Sequence, residues 1–157
     1  MMKWFKKECL VSKLNKLLKH KKYQQIVDLV KAQANPTEES QTFYIWSLME
    51  TQQLQEAKAA SEKAAIDYPE HPVFMALHAE IEYRLGNYDV ALSGLTKALD
   101  LSPGNLQVEY LLGLTHVAKG QLDKASDYFE SILRYDPSLL QTRLLVMAEH
   151  YIHKNKQ

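Results

Sequence analysis

Apolar positions recur along the chain at steps of three and four, the spacing that puts side chains on one face of an α-helix. Tyr44, Ile45 and Leu48 follow it, as do Ala91, Leu95 and Ala98, and so do Leu10, Val11, Leu14, Leu17 and Leu18. Gly86 and Gly120 punctuate the pattern where a helix should end, because glycine takes a positive φ at little cost. Asn35-Pro36-Thr37-Glu38 reads as a helix start, with Asn35 as the cap, Pro36 in the first turn and an acid three residues after the cap. The pattern predicts helices over 38–51 and 54–67, 72–85 and 88–101, and 106–119 and 122–135. A further pair is expected near 8–20 and 23–34, and a single last helix near 138–153. The predicted class is all-α.

The punctuation is periodic. Pro69, Pro103 and Pro137 are 34 residues apart, twice. Ala57, Ala91 and Ala125 keep the same interval, as do Leu54, Tyr88 and Leu122, and Gln52, Gly86 and Gly120. Like residue types holding one spacing across three blocks mark a stacked array of repeats. The expected division is a helical pair over 1–37, repeats over 38–71, 72–105 and 106–139, and a last helix with a short polar tail over 138–157. One block cannot bury its apolar face alone, so about three must stack.

The third block has Leu112-Gly113, Gly120, Ala125, Phe129 and Asp136-Pro137. The second has Ala79, Gly86, Ala91, Leu95, Ala98 and Pro103, with His78 and Glu82 at two apolar places. The first has Tyr44, Ile45, Leu48, Ala57, Ala64 and Pro69, with Ser61 in the column of Leu95 and Phe129. This pattern resembles the tetratricopeptide repeat (TPR). The resemblance implies an α-α superhelix whose first helices line a concave face that holds a partner's peptide or helix. On that face it would place Thr42, Trp46 and Met49 from the first block. The second would give Ala76, Glu80, Tyr83 and Arg84, and the third Gln107, Tyr110, Leu114 and Val117. Similar repeats that hold the acidic tail of heat-shock chaperones use a clamp of Lys and Asn residues. Thr42, Trp46, Leu77, Gln107 and Leu111 stand at those places here, which argues against such a tail.

Charge changes the picture at one end. The net charge is zero, but residues 1–22 carry eight lysines against one acid, a net of +7. The other 135 residues carry 11 bases and 18 acids, a net of −7. No apolar run is long enough for a secretory signal or a membrane span. The expected location is cytoplasmic, with peripheral contact at the inner face of a membrane as the alternative. For that contact the candidates are Lys3, Trp4, Phe5, Lys6 and Lys7, with the aromatics inserting among lipid headgroups. The stripe from Leu10 to Leu18 is expected to pack on the following helix, with its lysines solvated. Nothing in the segment has a zinc spacing, a glycine-rich loop or a stacking platform, which argues against nucleic acid.

The last predicted helix is apolar over much of its circumference. Leu140, Leu144, Met147 and Tyr151 are therefore candidates for a homo-oligomer contact. No phosphate-binding loop, nucleophile elbow or H-E-x-x-H occurs, so no catalytic residue, cofactor or metal is expected. His150 and His153 lack a third ligand, and Cys9 is expected to be a packed thiol. His78, Glu82 and His116 are expected to form a structural polar cluster. The expected function is a non-catalytic adaptor or assembly chaperone with a protein partner in its concave groove. Alternatives are a membrane-surface recruitment factor, a secretion-type chaperone and, least favoured, a metal-dependent catalyst.

Overall fold

A computed structural model describes residues 2–138, with side chains from residue 10 onward. Among the described residues there are eight α-helices and no strands. They are α1 (Met2–Lys19), α2 (Tyr23–Lys31), α3 (Glu38–Glu50), α4 (Leu54–Asp67), α5 (Pro72–Arg84), α6 (Tyr88–Leu101), α7 (Leu106–Ala118) and α8 (Leu122–Tyr135). From α3 onward the predicted boundaries hold to within one residue. The predicted last helix, with Leu140, Leu144, Met147, Tyr151, His150 and His153, lies outside the described residues. So do the side chains of Lys3, Trp4, Phe5, Lys6, Lys7 and Cys9.

One turn is used four times. In each, two consecutive backbone amides reach back to carbonyls at the end of the preceding helix. Gly86 N–H bonds Tyr83 O at 3.0 Å and Asn87 N–H bonds Glu82 O at 2.8 Å. The same pair of bonds recurs at Gly120 and Gln121, at Gln52 and Gln53, and at Lys21 and Lys22. The first residue of each pair has φ between 53° and 86°. This closes the free carbonyls of a helix end through a left-handed residue. The turn between α1 and α2 therefore has the geometry of the three regular pairs.

The N-terminal pair departs from expectation elsewhere. α1 begins at Met2 rather than near residue 8, and α2 stops at Lys31 rather than near 34. α2 has 9 residues where α4, α6 and α8 have 14. Asn35 does not cap α3. Thr37 does, its hydroxyl accepting from the Ser40 amide at 3.3 Å. Asn105 caps α7 instead, accepting from the Gln107 and Val108 amides at 3.1 and 3.2 Å.

Consecutive helices pack on one another throughout. Beyond that, α1 touches α3, α3 touches α5 and α5 touches α7, while no even-numbered helix meets the next even one. The odd helices thus crowd together and the even helices fan apart. That places α3, α5 and α7 on the inner face of a superhelical stack. The core runs as a chain of apolar clusters. Leu14, Ile26 and Val30 lie at the start, Ile45, Leu48, Phe74 and Ile81 follow, then Leu95, Val108 and Leu112, and Phe129 and Ile132 close it.

Small residues set the helix spacing. A Cβ on Gly113 would lie 2.5 Å from the Phe129 ring, and one on Gly94 would lie 2.9 Å from the Ala79 Cβ. The side chain facing Phe129 is missing so that the ring can lie against α7.

Candidate functional site

The inner face is built from one side of α3, α5 and α7. Gln107 is exposed, and Thr42, Trp46, Ala76, Tyr83, Arg84, Tyr110, Leu114 and Val117 are half-buried. Met49 is fully buried in the cluster of Val27, Leu77 and Ile81, so it belongs to the core and not to a ligand surface. Trp46 is turned toward the N-terminal pair, its ring meeting Tyr23 edge-on at 5.4 Å. Tyr110 lies 6.1 Å from Phe129, in the cluster that also takes Leu114 and Val117. Trp46 and Tyr110 are therefore partly used in packing.

Charge on this face converges on Arg84. Its Nη2 donates to Glu80 at 2.7 Å and to Glu50 at 3.1 Å, and its Nη1 donates to the Met49 carbonyl at 3.3 Å. Burial pulls the guanidinium pKa down, but the Glu80 and Glu50 carboxylates outweigh it and the net shift is upward. Arg84 is thereby committed to the fold, joining α5 to the end of α3. Glu80 is buried and held by the same guanidinium. The node therefore holds two acids against one base.

Next to this node the surface opens. A cleft of about 130 Å³ separates α5 from α7, lined by Val73, Ala76, Leu77, Glu80, Gln107 and Leu111 among others. Val73 stands at its rim, 42% exposed. Sequence comparison of the blocks missed Val73, although an apolar residue on the first turn of α5 was the available signal.

The outer side of the first seam carries a second polar group. His78 and Glu82 do come together there, at 3.6 Å. Glu82 also receives Lys58 at 2.7 Å and the Asn87 amide at 2.6 Å. Burial raises the Glu82 pKa, but hydrogen bonds from Lys58 and Asn87 outweigh it and hold the carboxyl below its usual range. His116 is not part of this cluster. It bonds Gln121 at 2.7 Å and stacks on Tyr128 at 5.6 Å, because its place on α7 faces α8 rather than α5.

Ser61 is the unforeseen member. Its Oγ lies 2.9 Å from His78 Nδ1 and 2.8 Å from the Lys58 carbonyl. A Ser–His–Glu row invites a catalytic reading, which the geometry opposes. Ser61 is fully buried, and its hydroxyl has the Lys58 carbonyl as well as the imidazole within bonding distance. A nucleophile must be open to its substrate. A third ionic group, Tyr44–Glu56–Lys31, ties α2 to α3 and α4 at 2.8 and 2.6 Å. Lys31 and then Tyr44 hold the Glu56 carboxyl below its usual range, while burial and Glu56 push the Tyr44 phenol up. Among the described residues, no three His, Cys, Asp or Glu side chains gather as a metal site.

Comparison with known proteins agrees with this geometry. A family model described as tetratricopeptide repeat matches residues 83–146. No curated protein sequence matches. Among solved structures, a thermophilic TPR protein of Thermus thermophilus superposes with a TM-score of 0.78 at 18% identity, covering 92% of this chain and 80% of the other. The first TPR of Spaghetti bound to an HSP90 peptide gives 0.68 at 18% identity, covering 74% and 91%. The type III secretion translocator chaperone SycD of Yersinia enterocolitica gives 0.67 at 14% identity, covering 76% and 86%. At these identities the likeness is one of fold.

Proposed function

We take as premise that this chain is a tetratricopeptide-repeat protein, and we propose that its inner face binds an extended or helical segment of a protein partner. The observation that carries the reading is the cleft between α5 and α7, with apolar Val73, Ala76 and Leu111 beside the acidic Glu80. Its chemistry suits a ligand of apolar side chains flanked by lysine or arginine. An acidic carboxylate tail is a poor match, because Arg84 is already held by two carboxylates. The role that follows is an adaptor or assembly chaperone. The likeness to SycD supports a secretion-type chaperone as its narrower form. The pair α1 and α2 serves in this reading as a shortened repeat, with Tyr23 of α2 covering the Trp46 end of the face.

Peptide selection against the immobilised full chain tests the proposal. Enriched sequences should combine apolar and basic residues. Val73→Arg with Gln107→Lys, both exposed positions, should lower their affinity at least tenfold with an unchanged circular-dichroism spectrum. Selected peptides that bind this variant as they bind the wild type would remove the cleft as the site.

A further inference from the structure

At the other end of the molecule a second surface has a different chemistry. Lys13, Lys16 and Lys19 lie on α1, with His20, Lys21 and Lys22 in the turn that follows, and all six side chains are exposed. None of them forms an ion pair among the described residues, although Lys31, Lys58, Lys119, Arg84 and Arg134 all do. On an ideal helix with 100° per residue, Lys13, Lys16, Lys19 and His20 span one arc. Leu10, Leu14, Leu17 and Leu18 span the opposite one. That apolar arc is already used. Leu14 is fully buried, and the others pack against the cluster it forms with Ile26 and Val30. α1 therefore has no apolar face from residue 10 onward to give to another surface, only its ammonium groups. Among the described side chains one carboxylate borders the patch, Asp28, which is exposed and hydrogen-bonded to Gln24.

We propose that this lysine face docks the protein, without insertion of α1, on the surface of an anionic lipid bilayer. The partner is chosen on charge. Clustered lysines beside one face of a helix are attracted to anionic headgroups without needing fixed partner geometry. The patch holds no arginine and no exposed aromatic ring, the groups that fork phosphates or stack bases in nucleic-acid sites. Residues 23–138 carry 17 acids against 8 bases. A long polyanion lying along the stack would meet that negative body. A flat anionic surface touches the positive end alone.

Sedimentation of the full chain with mixed phosphatidylcholine–phosphatidylserine vesicles tests this. Binding should appear on the mixed vesicles and not on phosphatidylcholine alone. It should be lost as salt rises to about 1 M. Each lysine contributes roughly fivefold to partitioning, so Lys13→Glu/Lys16→Glu/Lys19→Glu should lose at least a hundredfold, with the thermal midpoint unchanged at these exposed sites. Trp4→Ala/Phe5→Ala, which leaves the lysines in place, should bind within a few-fold of the wild type. The proposal is overturned if the triple variant binds like the wild type, or if binding persists on neutral vesicles. It is likewise overturned if the chain ignores both vesicles and instead binds a labelled oligonucleotide. Peptide binding by the cleft is measured separately, so either site can fail without the other.

Discussion

The seam between the first and second regular helix pairs and the seam between the second and third have the same backbone design and different chemistry. The first is laced with polar bonds. Arg84–Glu50 closes it on the inner side, Lys58–Glu82 and Ser61–His78 on the outer side, and His71–Glu38 at the helix starts. The second is apolar, with Leu95, Ala98, Val108, Leu111 and Leu112 in one cluster, and a Lys119–Asp89 pair at its rim. Apolar burial supplies most of the free energy in both. The difference lies in how each seam fixes its register. Three facing pairs inside the repeats bear on the first of them. Position by position, the repeats place Ile45 with Ser61, Ala79 with Leu95, and Gly113 with Phe129. One member grows as the other shrinks. In the first pair the large aromatic has become serine, and the imidazole of His78 reaches into that place from the next repeat. Ser61 and His78 look like two defects in the sequence, and in the fold they are one contact.

The largest expected effect breaks the third pair. Phe129→Ala removes a ring that is 2% exposed from above a glycine, and should cost about 3–5 kcal/mol in chemical denaturation. Gly113→Ala pushes a methyl into the same ring and should cost about 1–3 kcal/mol. Gly113→Ala with Phe129→Leu reproduces the pairing of the second repeat. It should be more stable than Phe129→Ala. A double variant less stable than Phe129→Ala would show that the facing pairs do not compensate.

Next comes the polar seam. Glu82→Gln keeps the shape of a buried side chain but loses the charge that faces Lys58 and His78, and should cost about 1.5–3 kcal/mol at neutral pH. Its sign with pH follows from the lowered carboxyl. A depressed folded pKa gives stability that is present above the unfolded pKa, about 4, and lost as the pH falls through the folded one. Wild type should therefore lose more stability than Glu82→Gln between about pH 5 and pH 2. Parallel thermal midpoints of the two proteins across that window would contradict the assignment. On the inner side, Arg84→Met should cost a similar amount, about 1.5–3 kcal/mol, because it strands the buried Glu80 carboxylate.

How far the sequence foretold this depends on what each feature needs. Helix limits from residue 38 to residue 135 were legible because period, glycine and proline act locally. The end of α2 was not, since nothing between Lys31 and Pro36 stops a helix by itself. The family register placed the inner face on the right helices, but exposure depends on neighbours. Met49 and Trp46 are covered or met by α2, a contact that repeat alignment does not contain. Glu50 and Arg84 occupy one column, 34 residues apart. Their opposite charges were therefore a readable signal for a bond between adjacent repeats. Lys58 to Glu82 and Ser61 to His78 fall in different columns and needed the three-dimensional stack.

The smallest expected effect is a gain. The turn after α3 has the same bonds as those after α5 and α7, but its left-handed residue is Gln52, at φ 62°, where the others have glycine. A side chain in that region costs roughly 1 kcal/mol, because its Cβ crowds the following carbonyl. Gln52 is exposed, so nothing is lost from the core on removing it. Glycine is freer in the unfolded chain, which returns part of the gain. Gln52→Gly should therefore stabilise by about 0.5 kcal/mol, read as a small rise in denaturant midpoint with an unchanged slope. The reverse change, Gly86→Gln, should destabilise by a similar amount, since a Cβ there meets no neighbour within 4 Å. If the two shifts have the same sign, the turns are not equivalent. The likeness between the polar and apolar halves of the stack would then end at their hydrogen bonds.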